Sequence, residues 1–160
     1  MKILIKLSPI LAMLIGIILL GSGVAGALFT YSSVARENIV TTGDSAIPNT
    51  PVRGVFTLKA QSDIIRTHTL SNTEGKTFAE MPRSIPQLDS EMNPVVDQDG
   101  KPVMVPNTAR NAWFNTTTLT TSLNLAILAY AFSGLVILLG LIMIWMGLIM
   151  KHFIKREANK

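Results

Sequence analysis

Two long apolar runs lie near the ends of the chain, and a polar stretch punctuated by prolines lies between them. From Leu7 to Phe29 the sequence LSPILAMLIGIILLGSGVAGALF has no charge over 23 residues. A helix of that length, rising 1.5 Å per residue, spans the roughly 30 Å hydrocarbon core of a bilayer. The second run, Leu123 to Met150, is 28 residues; it exceeds what the core demands and should tilt or project a turn beyond it. Ser8 and Pro9 read as N-cap and first-turn residue of the first span, because proline's fixed φ and missing N–H cost nothing there.

Small residues recur every seven positions in both runs: Gly16, Gly23 and Thr30 in the first, Ala126, Ser133, Gly140 and Gly147 in the second. Such a seam lets another backbone approach closely, and in lipid that contact is a major source of helix association. Two readings stay open: the spans pack on each other as an antiparallel hairpin, or one seam docks a foreign helix. The fold class that follows is all-α membrane, a two-helix transmembrane hairpin with a largely helical or irregular extracytoplasmic segment containing a short β-hairpin. The segments are 1–6 cytoplasmic, 7–29 first span, 30–122 extracytoplasmic, 123–150 second span and 151–160 a basic cytoplasmic tail.

Within the middle segment, Val34 to Arg53 contains Pro48 and Pro51 and reads as extended. Residues 57–72 place Ala60, Ile64 and His68 at i, i+4 and i+8 with Ile65 beside them, predicting a short amphipathic helix that stops near Gly75. The insert 81–106 holds Pro82, Pro86, Pro94, Pro102 and Pro106 and cannot be a helix. Inside it, PVVDQDGKPVMV sets two Val-rich arms around Asp99-Gly100, a hairpin signal. Asp97 and Asp99 resemble the opening of a calcium loop, but no closing Glu follows at the required spacing, so a turn is the reading. Residues 108–122 predict a juxtamembrane helix continuous with the second span, its threonine hydroxyls bonded to local backbone.

Charge sets orientation. The net +4 is carried by the termini, where Lys2, Lys6, Lys151, Lys155, Arg156 and Lys160 stand against Glu157, leaving −1 for the rest. By the positive-inside rule both ends are cytoplasmic and the middle lies outside the plasma membrane. Lys6, Tyr31, Trp113, Trp145, Lys151, Lys155 and Arg156 are the expected membrane-interface anchors. A cleaved signal peptide is the rival for the first run, since MKILIK is a basic n-region and Ala25-Gly26-Ala27 or Ser33-Val34-Ala35 offers small residues for cleavage; the apolar stretch is longer than the usual h-region.

Candidate chemistry is sparse. The chain has no cysteine and two histidines, His68 and His152, which this topology places on opposite sides of the bilayer. A metal site using both is thereby excluded within one chain. His68 with Ser62 or Ser71 lacks the context of a nucleophile elbow, and neither span carries an ionisable residue for a proton relay. No phosphate loop or base-stacking cluster is present. The expectation is a protein without catalytic residues, cofactor, metal, nucleic acid or small-molecule substrate, whose partners are membrane lipid and another membrane protein or itself.

The stretches VRGVFTLKAQSDIIRTHTL and EGKTFAEM, followed by NTARNAWFNTTTLTTSLNLAILAYAFSGLVILLGL, resemble a family of small two-span actinobacterial membrane proteins often labelled aromatic ring-opening dioxygenase. The family wording, G-P-F-T-A-Y-A-Q-A-D-x-I and then G-K-T-Y-A-E, differs here at Val55, Leu58, Lys59 and Phe78. The resemblance implies topology and source. The label's extradiol chemistry needs two histidines and a carboxylate on iron, which this chain cannot assemble. The leading expectation is an accessory or assembly subunit of an envelope complex; the alternative is a homo-oligomeric channel or tension-responsive pore, and third a dioxygenase subunit.

Overall fold

The computed structural model describes residues 2–158. Lys160 and the side chain of Lys2, both counted towards orientation above, lie outside the described residues. The chain is 67% helical, in the order α1 (Lys2–Arg36), α2 (Val55–Asn72), a 3₁₀ turn (Phe78–Glu80), β1 (Ser84–Pro86), β2 (Met104–Pro106) and α3 (Thr108–Ala158). Two of these helices, α1 and α3, are long and apolar enough to cross a membrane.

The pairing of α1 with α3 follows from side-chain size. Pro9, Gly16, Gly23 and Thr30 are buried along one line of α1, and Ser133, Gly140 and Gly147 along one line of α3. A methyl group added to Gly16 would lie 2.7 Å from the Gly140 carbonyl oxygen, and one on Gly140 would lie 2.7 Å from the Leu20 nitrogen. At Gly23 it would meet the Ser133 carbonyl at 2.9 Å, and at Gly147 the Pro9 carbonyl at 2.8 Å. The helices therefore run antiparallel with their backbones in contact, and larger side chains are turned outward. Pro9 is the exception to the sequence reading. It is the eighth residue of α1, in the third turn rather than at the start, buried where α3 passes.

Helix α3 has 51 residues against 35 in α1, so at 1.5 Å per residue it stands about 24 Å longer. Beyond the end of α1 its partner is α2, which runs antiparallel to it, from Leu58 near Leu123 to Thr69 at Thr116. The exchange of partners is made by residues 37–54. These were expected to be extended; instead they form a closed loop. Val52 N–H donates to the Ile39 carbonyl at 2.9 Å and Thr41 N–H to Thr50 at 3.0 Å. Thr41 is buried, its hydroxyl accepting from Thr50 N–H at 2.9 Å and donating to the Ile47 carbonyl. A hydroxyl inside the loop supplies partners that a proline-bearing backbone cannot, and this draws the two legs together. Val52, Leu58 and Leu123 then form a small core against Val34, Ile39, Ala126 and Tyr130.

The insert 84–106 is a ribbon built from a repeat of eight residues. Pro86, Pro94 and Pro102 recur at that spacing, as do Gln87, Val95 and Val103, and Asp89 and Asp97. Each aspartate caps its own turn. Asp89 Oδ1 accepts from the N–H groups of Glu91 and Asn93, and Asp97 Oδ1 from Asp99 and Lys101, all at 2.9 Å. The left-handed positions are Met92 (φ 68°) and Gly100 (φ 76°). The three arms close on each other through a ring of backbone bonds: Gln87 N–H to Val103, Val103 N–H to Val95 and Val95 N–H to Gln87, at 2.7, 2.8 and 2.8 Å. The sheet thus pairs β1 with β2, whereas the Val-rich arms around Asp99-Gly100 meet only at the Val96–Pro102 bridge. Proline has no N–H to extend a ladder, which limits each arm to one bridge.

Gly140→Ala should destabilise the hairpin by about 1–3 kcal/mol, since the added carbon meets backbone that cannot rotate away. Gly134→Ala, at a position open to its surroundings, should be neutral or slightly stabilising. Unfolding of each variant in mixed micelles, followed by circular dichroism, measures the difference.

Candidate functional site

The features able to meet another molecule lie beyond the end of α1, where α2 is fastened to α3 by hydroxyls and one indole. Thr69 Oγ1 and Thr116 Oγ1 are 2.6 Å apart in a buried contact. Trp113 Nε1 donates to the Lys76 carbonyl at 2.9 Å and to Thr73 Oγ1 at 3.2 Å. Arg66 stacks 5.5 Å from the Trp113 ring and Arg110 3.6 Å from that of Phe78. Asn107 caps α3, its Oδ1 accepting from Arg110 N–H at 3.2 Å and its Nδ2 donating to the Pro82 carbonyl at 3.1 Å. Further along the run the hydroxyls of Thr118, Thr120 and Ser122 bond the helix backbone four residues back.

Trp113 therefore corrects the sequence reading. It was expected as a membrane-surface anchor, yet it is 3% exposed. It lies 17 residues, or about 25 Å along the helix, outward of Tyr130. Its indole N–H is spent inside the lobe, where a buried tryptophan needs a partner. The remaining expected anchors Lys6, Tyr31, Trp145, Lys151, Lys155 and Arg156 are all exposed. Tyr31 accepts from Arg53 at 3.1 Å, and Tyr130 donates to the Arg53 carbonyl at 2.7 Å, so both tyrosines meet the loop at one level. Phe56, 81% exposed at the start of α2, lies three residues further on and was not singled out from sequence; an aromatic just after a proline-rich loop and ahead of an apolar helix face was its only signal.

His68 also differs from expectation. The periodicity placed it on the face of α2 with Ala60 and Ile64, and those two are buried, but His68 is exposed. Its Nε2 lies 2.6 Å from Asp44 Oδ2, tying α2 to the 37–54 loop. His68 thus pairs with a carboxylate rather than with Ser62 or Ser71. The Asp44 carboxyl is held below its ordinary range, first by the hydrogen bond from His68 and then by that from Thr42. Among the described residues no group of three or more His, Asp or Glu side chains is placed to hold a metal ion.

Two surfaces remain. Neither β1 nor β2 packs on a helix, and none of residues 84–106 is buried; Leu88, Met92, Val96 and Met104 stand exposed along the ribbon. The second is a groove of about 590 Å³ between the outer part of α1, α2 and α3, with Phe29, Ser33 and Glu37 on one wall, Leu58 on another and Leu119 and Ala129 on the third. No family model, curated protein or solved structure matches this chain. The reading of these surfaces thus rests on their geometry.

Trp113→Ala should cost about 3–5 kcal/mol. Trp113→Phe, which keeps most of the ring and leaves the Lys76 carbonyl its bond from the Thr73 hydroxyl at 2.6 Å, should cost only about 0.5–1.5 kcal/mol for the lost indole hydrogen bond; thermal melts of the purified chain separate the two. For Asp44, the folded carboxyl titrates below the unfolded one. Its contribution is therefore complete above the unfolded carboxylate range and disappears as pH falls through the lower folded value. Stability of the Asp44→Asn variant should lack that acid-side loss, which paired melts from neutral pH into the acid range would reveal.

Proposed function

We propose that this chain is a non-catalytic integral membrane protein, an accessory or assembly subunit of a larger envelope complex that offers its outer lobe and ribbon as a docking surface. Both termini lie in the cytoplasm and residues 30–122 outside, as the flanking charges indicate. Support for insertion comes from α1 and α3 themselves: only 11% of each apolar window is buried inside the chain, and Leu11, Ile18, Leu28, Phe132 and Leu138 are among the side chains left uncovered. In water that surface would far exceed the patches soluble monomers expose; in a bilayer it is ordinary.

The observation that carries the docking role is the ribbon. Two capped turns and a closed ring of backbone bonds hold residues 84–106 in one shape with no buried residue of their own, while presenting Met92 and neighbouring apolar side chains. A preorganised arm loses little entropy on binding. The channel reading fits less well, because the small-residue seams that a helical ring would use are spent between the two helices of one chain. The similarity to the actinobacterial family is consistent with the two-span reading and adds no mechanism.

The chain has no cysteine, so single-cysteine variants test both parts. Met92→Cys should react with a membrane-impermeant maleimide in intact cells, and His152→Cys only after permeabilisation. A cleavable cross-linker at Met92→Cys should then capture one membrane protein in stoichiometric yield. Labelling in the reverse pattern would sink the orientation; capture of nothing, or of many abundant proteins equally, would sink the docking role.

A further inference from the structure

We propose that the groove between α1, α2 and α3 is a lipid site, holding one acyl chain of an aminophospholipid whose headgroup ammonium is received by Glu37. The proposal rests on the two-span reading above, which fixes where the groove lies. Tyr31 and Tyr130 meet the Arg53 segment at one level, and Phe29 and Ala129, at the inner end of the groove, lie on the hydrocarbon side of it. Leu119, at the outer end, is ten residues beyond Ala129, about 15 Å along α3. The groove thus opens into the bilayer and continues above it. What reaches its inner end must come through hydrocarbon, and water there would have few polar partners. A lipid chain already occupies that space and can rise into the groove without exposure.

The size and lining suit such a ligand. About 590 Å³ falls within the range of small-molecule sites, which are mainly apolar with a few polar groups that fix orientation. Here those groups are Ser33 and Glu37, one turn apart on α1 and both lining the groove. Neither the Ser33 hydroxyl nor the Glu37 carboxylate has a side-chain partner among the described residues. A carboxylate beside apolar walls favours a cation that donates hydrogen bonds. It repels a fatty acid. A phosphoethanolamine headgroup carries the complementary group, a primary ammonium that donates hydrogen bonds.

The test uses the full chain reconstituted in phosphatidylcholine vesicles containing equal mole fractions of phosphatidylethanolamine and phosphatidylglycerol, floated on a density gradient, extracted in mild detergent and weighed by native mass spectrometry. The expected result is one retained lipid per chain, with phosphatidylethanolamine enriched at least about five-fold over either competitor. Ala129→Phe, which fills the inner end, and Leu119→Trp, which fills the outer end, should each lose it at unchanged helicity, and Leu138→Phe outside the groove should not. Glu37→Gln should keep a lipid but lose the headgroup preference. A floated chain retaining no lipid, retaining a protein fragment instead, preferring phosphatidylglycerol, or holding lipid equally in both filled variants overturns the lipid site alone. A chain that does not float with the vesicles overturns the two-span reading and the site with it.

Discussion

Everything outside the two long helices depends on how closely those helices approach. Their contact is backbone on backbone, at Gly16 with Gly140 and Gly23 with Ser133, and such contact is possible only where side chains are absent or very small. In the bilayer proposed for these helices, burial of apolar surface cannot drive the pairing, because a leucine facing acyl chains is as well solvated as one facing protein. Dispersion between close-packed backbones, with weak Cα–H contacts, takes its place. The seven-residue spacing keeps the seam on one side of each helix, and the bulky residues then have nowhere to point but outward.

That pairing leaves a geometric debt. Since α3 is far longer than α1, about four turns of it would stand alone beyond the end of α1, a threonine-rich helix with little intrinsic propensity for that state. The lobe is the answer. The chain leaves α1, closes the 37–54 loop back to the level of Tyr130, and sends α2 up the exposed side of α3. The joint is mostly polar: Thr69 with Thr116, the Trp113 indole with Thr73 and Lys76, and two guanidinium groups stacked on rings. With few large apolar residues available between 55 and 122, hydrogen bonds satisfied inside a small buried region do what a larger core would do elsewhere.

The two long apolar helices, the heptad of small residues, the helix over 57–72 and the unbroken entry of residues 108–122 into α3 were all legible in the sequence, because each is a periodic or compositional signal that survives without knowledge of tertiary contacts. What the sequence hid has specific causes. Trp113 has the amphipathic character of an interfacial anchor and of a lobe core residue alike, and only the position of Thr73 and Lys76 decides between them. His68 shares its spacing with Ala60 and Ile64, but a carboxylate 24 positions earlier turns it outward. The closed loop depends on one hydroxyl, Thr41, meeting a carbonyl and an amide that no local pattern places together. The octapeptide repeat, by contrast, was visible in Pro86, Pro94 and Pro102, and reading it as proline scatter concealed two copies of one aspartate-capped turn.

The ribbon and the groove use opposite strategies to remain available. Residues 84–106 hold their shape through backbone bonds and Asx-type capping, so their apolar side chains need not turn inward to give stability and can be shown to the solvent. The groove exists because α1 stops where α2 has not yet taken its full place on α3, leaving Ala126 and Ala129 facing a gap that neither helix fills. Both follow from the same length mismatch. A shorter α3 would need no lobe, and with no lobe there would be neither an arm to project nor a cleft between the three helices.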